Sequence, residues 1–410
     1  MEMMKKVADR HNMACLLHEK PFEGINGSGK HVNWSIVTDE GENLLEPGKT
    51  PAENTQFLVF LIAVIAAVDK YAKLLRVSVA SAGNDHRLGA NEAPPAVISI
   101  FLGDELESIL SAIDKGISPE DAEHTLMNIG AKILPTFTKD TTDRNRTSPF
   151  AFTGNKFEFR MPGSSVSVAD PNVILNTAVA DSLRHMRKEL EGTSEDKLQD
   201  SLMKLLQKTL KEHKRVLFNG NGYTDEWLTE AEKRGLPNLK SLPDAMPALI
   251  EDDSIALFTA YHIFSETELR ARYEILLENY SKLIHIESLT LQDMVKKDFT
   301  TGLLSYMSDV TAEALQKQEF SDTISVSYEK EILETLSFSS EAINASLKKL
   351  AEDTASAESE ADEQKRAVKY HETILADMED VRKAVDTAEA IIPQEYLPYP
   401  TYDQLLFSLR

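Results

Sequence analysis

Four short stretches of the chain hold residue types that do chemistry on anions and metal ions. The first is GINGSGKH, residues 24–31. It follows the phosphate-cradling pattern G-x-x-x-x-G-K-[ST] up to its last letter, where His31 stands in place of the hydroxyl residue that would hold magnesium. A P-loop also needs a helix after it, so that the helix N-terminus faces the phosphates. Here the following residues alternate as a strand, with Val32, Trp34 and Ile36 against Asn33, Ser35 and Val37. The stretch therefore reads as a glycine-rich turn, where backbone can approach a ligand closely, delivering His31 to the start of a strand. Two roles stay open for that imidazole: a ligand to a divalent metal, or a surface residue of the turn.

The second stretch is KFEFRMPG, residues 156–163. Strand alternation puts Phe157 and Phe159 on one face and Glu158 with Arg160 on the other. The polar face is either a solvated ion pair or a metal-binding carboxylate beside a guanidinium that grips an anion through two parallel hydrogen bonds. The third is DRNRTSPF, which carries Arg144 and Arg146 in a turn-rich setting shortly before Glu158. The fourth is DHRLGANEAPP, where Arg87 and Glu92 sit on a loop with glycine hinges and two prolines. Such a loop can close over a site and place a base. One histidine, two glutamates and several arginines suit phosphoryl transfer to an acidic small molecule with a divalent metal. The residues alone leave the reaction unnamed.

These side chains need elements to hold them. The chain has 410 residues, 42% hydrophobic and 27% charged, enough for a globular core. A formal charge of −23 argues against a nucleic-acid partner, because phosphate backbones reward a basic face. The one cysteine, Cys15, excludes a disulfide within the chain and reads as a small buried residue in an apolar run. The longest apolar run, residues 57–68, is too short to span a bilayer and ends at Asp69 and Lys70. It predicts a buried helix over about 51–80, with Thr50 as N-cap, Pro51 at the first position and Glu53 completing the box. With no targeting segment, a cytoplasmic, membrane-free protein is expected.

ACLLHEKPF reads as a strand, residues 96–133 as helical with a second capping box at Ser118, and the stretch around 150–162 as strands and turns. From about 172 onward the pattern is helical. Leu202, Leu205, Leu206 and Leu210 share one face, and Ile374, Met378, Val381, Val385, Ala388 and Ile392 form a heptad stripe stopped by Pro393. An intramolecular bundle is favoured over an intermolecular coiled coil. The acidic residues 351–366 read as a solvated helix face or linker, and the aromatic tail YLPYPTYDQLLFSLR is expected to dock. The fold class is α+β: a partial antiparallel catalytic sheet with flanking helices, then a large all-helical C-terminal extension. The expected divisions are 1–180, 181–395 and a docking tail 396–410.

In series, NGSGKHVNWS, RLGANEAPP, NRTSPF and KFEFRMPG resemble the active-site motifs of glutamine synthetases. More narrowly they are similar to the large type III enzymes, whose wording FAFTGNKFEFR and LLHEKPF approach closely. The likeness covers essentially the whole chain. It implies metal ligation by His31 and Glu158, and substrate glutamate contacts from Asn26 and Gly27. It implies that Arg87, Arg146 and Arg160 hold the carboxylate and the transferred phosphoryl group, and that Glu92 is the flap residue accepting a proton from ammonium. Ser35 and Lys156 match nucleotide-contacting positions. The implied reaction joins ammonia to the glutamate γ-carboxylate through a γ-glutamyl phosphate, with ATP and Mg2+ or Mn2+, in homo-oligomeric stacked rings.

The chain departs from the commoner family pattern in several places. Asn33 replaces a second histidine, the Arg87-to-Glu92 interval is one residue shorter, and TSPFA lacks a following arginine. Only residues 1–23 precede the glycine turn, where the family places a β-grasp domain and an E-x-E motif. A fragment or truncated product with little activity alone is therefore expected. The alternatives are a non-catalytic oligomerisation or binding protein derived from the same family, and a ligase of the same superfamily acting on another acid or amine.

Overall fold

The structure is a computed structural model that describes residues 2–15, 17, 20, 24–90, 93–116, 148–401 and 404–405. The chain divides into two compact units, His18–Tyr273 on one hand and Met1–Leu17 with Glu274–Arg410 on the other. The class is α+β, with a small sheet and many helices.

Among the described residues of the unit His18–Tyr273 the sheet has four strands: β1 (Val32–Trp34), β2 (Ile100–Phe101), β3 (Phe150–Phe152) and β4 (Phe157–Phe159). Their order is β1-β4-β3-β2. The pairs β1·β4 and β3·β4 are antiparallel, while β2·β3 is parallel, so the sheet is mixed. A parallel pair needs a crossover, and the chain between β2 and β3 includes the helix Asp104–Asp114. Alternation on β4 buries Phe157 and Phe159 fully beneath the sheet, against Phe150. The Phe150 and Phe157 rings stack with centroids 4.8 Å apart.

The apolar run forms the buried helix Thr55–Lys70. Its cap is Asn54, whose side chain accepts from the Phe57 N–H at 3.0 Å, and not Thr50. Residues 50–54 make a turn instead, in which Glu53 N–H donates to the Thr50 carbonyl at 3.1 Å. The expected single helix also breaks at Tyr71, whose φ of −109° and ψ of 24° leave the helical region, and resumes as Ala72–Val77. The first residues of the expected 96–133 helix are irregular and then strand β2, because a short apolar run such as AVISIF does not declare its period. The helix begins only after Gly103, whose φ of +83° suits glycine. The Ser118 capping signal and most of ACLLHEKPF lie outside the described residues.

The change of texture near residue 172 does not coincide with the division between units. The helix Ala169–Leu190 packs on Thr55–Lys70 within the sheet-bearing unit, joined by Glu195–His213 with Leu205, Leu206 and Leu210 buried.

The other unit is built of long helices, among them Thr300–Phe320, Ser327–Glu358 and Leu375–Glu389, with π-helical turns at Met294–Phe299 and Tyr370–Ile374. The heptad stripe lies largely inside: Ile374, Val381, Ala388 and Ile392 are buried, and Met378 and Val385 half-buried. Its helix packs on Ser327–Glu358 of the same chain. The acidic stretch ends that helix at Glu358 and restarts at Glu363 under an Asp362 cap. In the described part of the tail, the Tyr396 and Tyr399 hydroxyls donate to Asp309 at 2.7 Å and to the Met294 carbonyl at 2.8 Å. No helix among the described residues is long and apolar enough to cross a membrane.

Candidate metal and anion site

The site grows from the pairing of β1 with β4. Trp34 lies opposite Phe157, Asn33 opposite Glu158 and Val32 opposite Phe159. Cross-strand partners share a face, and so do residues two apart on one strand. His31, Asn33, Glu158 and Arg160 are thereby brought to one side while the phenylalanines hold the other. The outcome is direct contact: His31 Nδ1 is 3.6 Å from Glu158 Oε2, and Arg160 Nε donates to that same oxygen at 3.2 Å. The Glu158 side chain is 12% exposed and that of Arg160 is 3%, whereas that of His31 is 47% exposed. A half-exposed imidazole thus stands beside a largely buried carboxylate. On β3, Glu158 faces Ala151, the smallest side chain available there short of glycine.

The glycine turn is laid along the far end of β4. Gly29 bridges Gly163, Lys30 N–H donates to the Pro162 carbonyl at 2.9 Å, and Lys30 Nζ reaches the Val166 carbonyl at 2.9 Å. The pairing is not uniform. Two residues separate Gly29 from Val32, while three separate Phe159 from Gly163, so the second strand carries one extra residue, a β-bulge, at 160–162. Of the turn residues, Asn26 is exposed and Gly27 half-buried.

Arg87 closes the helix Ala82–Arg87 and is 4% exposed. Its guanidinium donates to the Met161 carbonyl at 3.0 Å, the Arg160 carbonyl at 3.3 Å and Asn84 Oδ1 at 3.1 Å. Ser35 lies at the other end of the strand pair, its hydroxyl 2.7 Å from Asn43 Oδ1 and 3.1 Å from the Asn155 carbonyl. Lys156 is the next residue, in the tight turn where its carbonyl accepts from Thr153 N–H at 2.8 Å. Glu92 and Arg146 lie outside the described residues.

Sequence reasoning missed the supports. Trp34 Nε1 donates to Asn176 at 2.8 Å, which ties β1 to the helix Ala169–Leu190. Arg76 and Asp85 form a buried pair at 2.7 Å, and Asp85 also accepts from Leu242 N–H at 2.7 Å. The DHR spelling offered a hint, since an acid two residues before an arginine can point to the opposite side of a short helix. Nothing in the sequence announced Asn176 or Asn84.

An imidazole nitrogen and a carboxylate oxygen suit Mg2+ or Mn2+, ions that take few protein ligands and complete their shells with water and phosphate oxygens. Among the described residues no group of three or more His, Cys, Asp or Glu side chains converges. A two-donor site of that kind fits an ion shared with a bound phosphate.

Comparisons with known proteins bear on the family of the chain. The family profile described as glutamine synthetase, catalytic domain, matches residues 1–98, and that described as glutamine synthetase C-terminal domain matches 201–318. The residues between, with Glu158 and Arg160, are covered by relatives matched over the whole chain. A glutamine synthetase of Butyrivibrio fibrisolvens is 57% identical over 413 residues, 100% of this chain and 58% of that protein. A type-3 glutamine synthetase of Dictyostelium discoideum is 43% identical over 99% of this chain and 56% of its own length. A glutamine synthetase of Bacteroides fragilis (strain YCH46) is 38% identical over 100% and 57%. The chain thus spans little more than half the length of the curated relatives it matches.

Proposed function

The chain belongs to the glutamine synthetase family, and from that premise we propose that it carries part of a site for the ATP-dependent ligation of ammonia to the γ-carboxylate of glutamate. The observation that carries the reading is the convergence of His31, Glu158 and Arg160 on one face of the β1·β4 pair.

A carboxylate is a poor electrophile. In the proposed reaction its γ-oxygen takes the terminal phosphoryl group of ATP, and ADP departs. The ammonia lone pair then forms the C–N bond as the C–O bond to phosphate breaks. A divalent cation held by His31 and Glu158 would neutralise phosphate oxygens when bound. Arg160 keeps the Glu158 carboxylate aimed and lends positive charge where anionic oxygens gather. Asn26 and Gly27 sit on the turn beside this edge, where they would meet the amino-acid substrate. Arg146 would contribute to the transferred phosphoryl group, and Glu92 would accept the proton that ammonium must lose before it can attack. Ser35 and Lys156, at the opposite end of the strand pair, would face the nucleotide. A cytoplasmic homo-oligomer belongs to the same proposal.

Titration of the chain with Mn2+, followed by electron paramagnetic resonance, tests the reading. Glu158→Ala and His31→Ala are each expected to weaken binding. Equal affinity of both variants and the wild type would refute the site assignment.

A further inference from the structure

The family likeness places Arg87 against the substrate carboxylate, but its surroundings give it another task. The bulge at 160–162 shifts the Arg160 and Met161 carbonyls out of the regular ladder toward the helix Ala82–Arg87. Buried carbonyls without a donor are costly. The Arg87 guanidinium supplies N–H groups to both, and Asn84 Nδ2 adds a second donor to Met161 at 3.0 Å. The same guanidinium lies against Gly29: a methyl group placed on that residue would overlap Nη2 and the central carbon. A side chain at position 29 would therefore push the guanidinium out of its place. The short helix is itself pinned from its other side by the buried Arg76–Asp85 pair, with Arg76 Nε on the Leu239 carbonyl at 2.7 Å.

We propose that Arg87 is a positioning residue of this site, a bracket that locks the bulge of β4 to the glycine turn and so fixes Arg160, Glu158 and His31 relative to one another. It acts through the two backbone segments it touches. The inference deepens the proposed function, since the residues it aligns are those read there as the metal and anion ligands.

The sign of an electrostatic effect separates this role from a direct one. Arg87→Gln removes a positive charge near the ion, which by relief of Coulomb repulsion alone would tighten Mn2+ binding. A lost bracket does the opposite, and the expected loss of affinity is about tenfold, the range found for outer-shell supports. Arg87→Lys keeps the charge but not the fork, and is expected to weaken Mn2+ binding as well. Gly29→Ala should reproduce the defect. Gly29→Ala combined with Arg87→Gln should lose no more than the worse single change, because both act on one contact.

Amide hydrogen exchange of the same full chain supplies a second readout that needs no metal. In Arg87→Lys, residues 29–33 and 158–163 should exchange about tenfold faster while the rest of the chain keeps its protection. Unchanged exchange in those segments, or Mn2+ affinity equal to or tighter than wild type in both Arg87 variants, overturns the proposal. Should wild type and Glu158→Ala bind Mn2+ alike, the metal reading fails, and the exchange result by itself decides for or against the bracket.

Discussion

The sheet-bearing unit and the long-helix unit both bury polar groups, and they use them differently. Around the sheet, Arg87, Asn84 and Arg76 reach main-chain carbonyls of irregular segments. Among the long helices the buried polar groups meet one another across helix faces: Tyr280 with His371 at 3.0 Å, Tyr370 with His285 at 2.8 Å, Ser288 with Thr354 at 2.8 Å. A helix satisfies its own backbone, so its polar side chains are free to set register between helices. A bulged strand does not, and side chains must complete it. The first arrangement fixes loops where a ligand can enter. The second fixes rods.

The most damaging change expected is at the site. In a polypeptide of the relatives' full length that carries this chain, Glu158→Ala should cut glutamine formation by about a thousandfold, the scale of a lost metal ligand. Its thermal midpoint should stay near wild type, and turnover at the wild-type rate would erase the functional half of the contrast.

Next comes a core change in the helical unit. Leu350 is fully buried on Ser327–Glu358, and Leu350→Ala should cost about 3 kcal/mol in urea unfolding. Mn2+ affinity should not move, because nothing in that unit supplies a proposed ligand. Weakened Mn2+ binding would show that the two regions are not separable.

A pH effect sharpens the comparison further. Burial pushes the Asp377 carboxyl above the ordinary aspartate range; the Lys349 ammonium it pairs with offsets part of this, and neighbouring Asp353 adds to it. A raised folded value means the native state holds that proton more tightly than the unfolded chain. The associated stability is therefore complete below about pH 4, the unfolded aspartate value, and declines as pH rises through the raised folded value. Asp377→Asn should flatten this decline in unfolding midpoints taken upward from about pH 4, whereas an unchanged slope would acquit Asp377. By contrast, burial pushes Asp181 of the sheet-bearing unit upward, but hydrogen bonds from Tyr71 and Lys70 outweigh it, so its value is lowered. Its contribution is present above the unfolded aspartate value and is lost as pH falls through the depressed one.

The smallest effect belongs to the surface. Ile286 is 60% exposed, and Ile286→Asp should change the stability of the chain by no more than about 0.5 kcal/mol. A larger loss would mean that this helix face is covered in solution.

Much of this was legible in the letters. FEF and VNW alternate with period two, so the sequence already put Glu158 and Arg160 together and Phe157 and Phe159 beneath them. The stripe from Ile374 to Ile392 announced a packed helix with equal clarity. Capping was less legible: Asn54 displaced Thr50 because three capping-type residues crowd one short stretch, and the choice rests on where Phe57 and Leu58 must enter the core. The AVISIF run misled because short apolar segments have no readable period.

By itself the sequence determined which residues share a strand face, which helices are amphipathic and to which family the chain belongs, since these depend on local periodicity and on motif order. Only the tertiary structure decided that β1 meets β4 in the register that sets His31 beside Glu158, that one extra residue bulges at 160–162, and that Arg87 spans the gap. Register and bulges follow from what two distant segments can bury together, and no property of either segment alone encodes the distance between them.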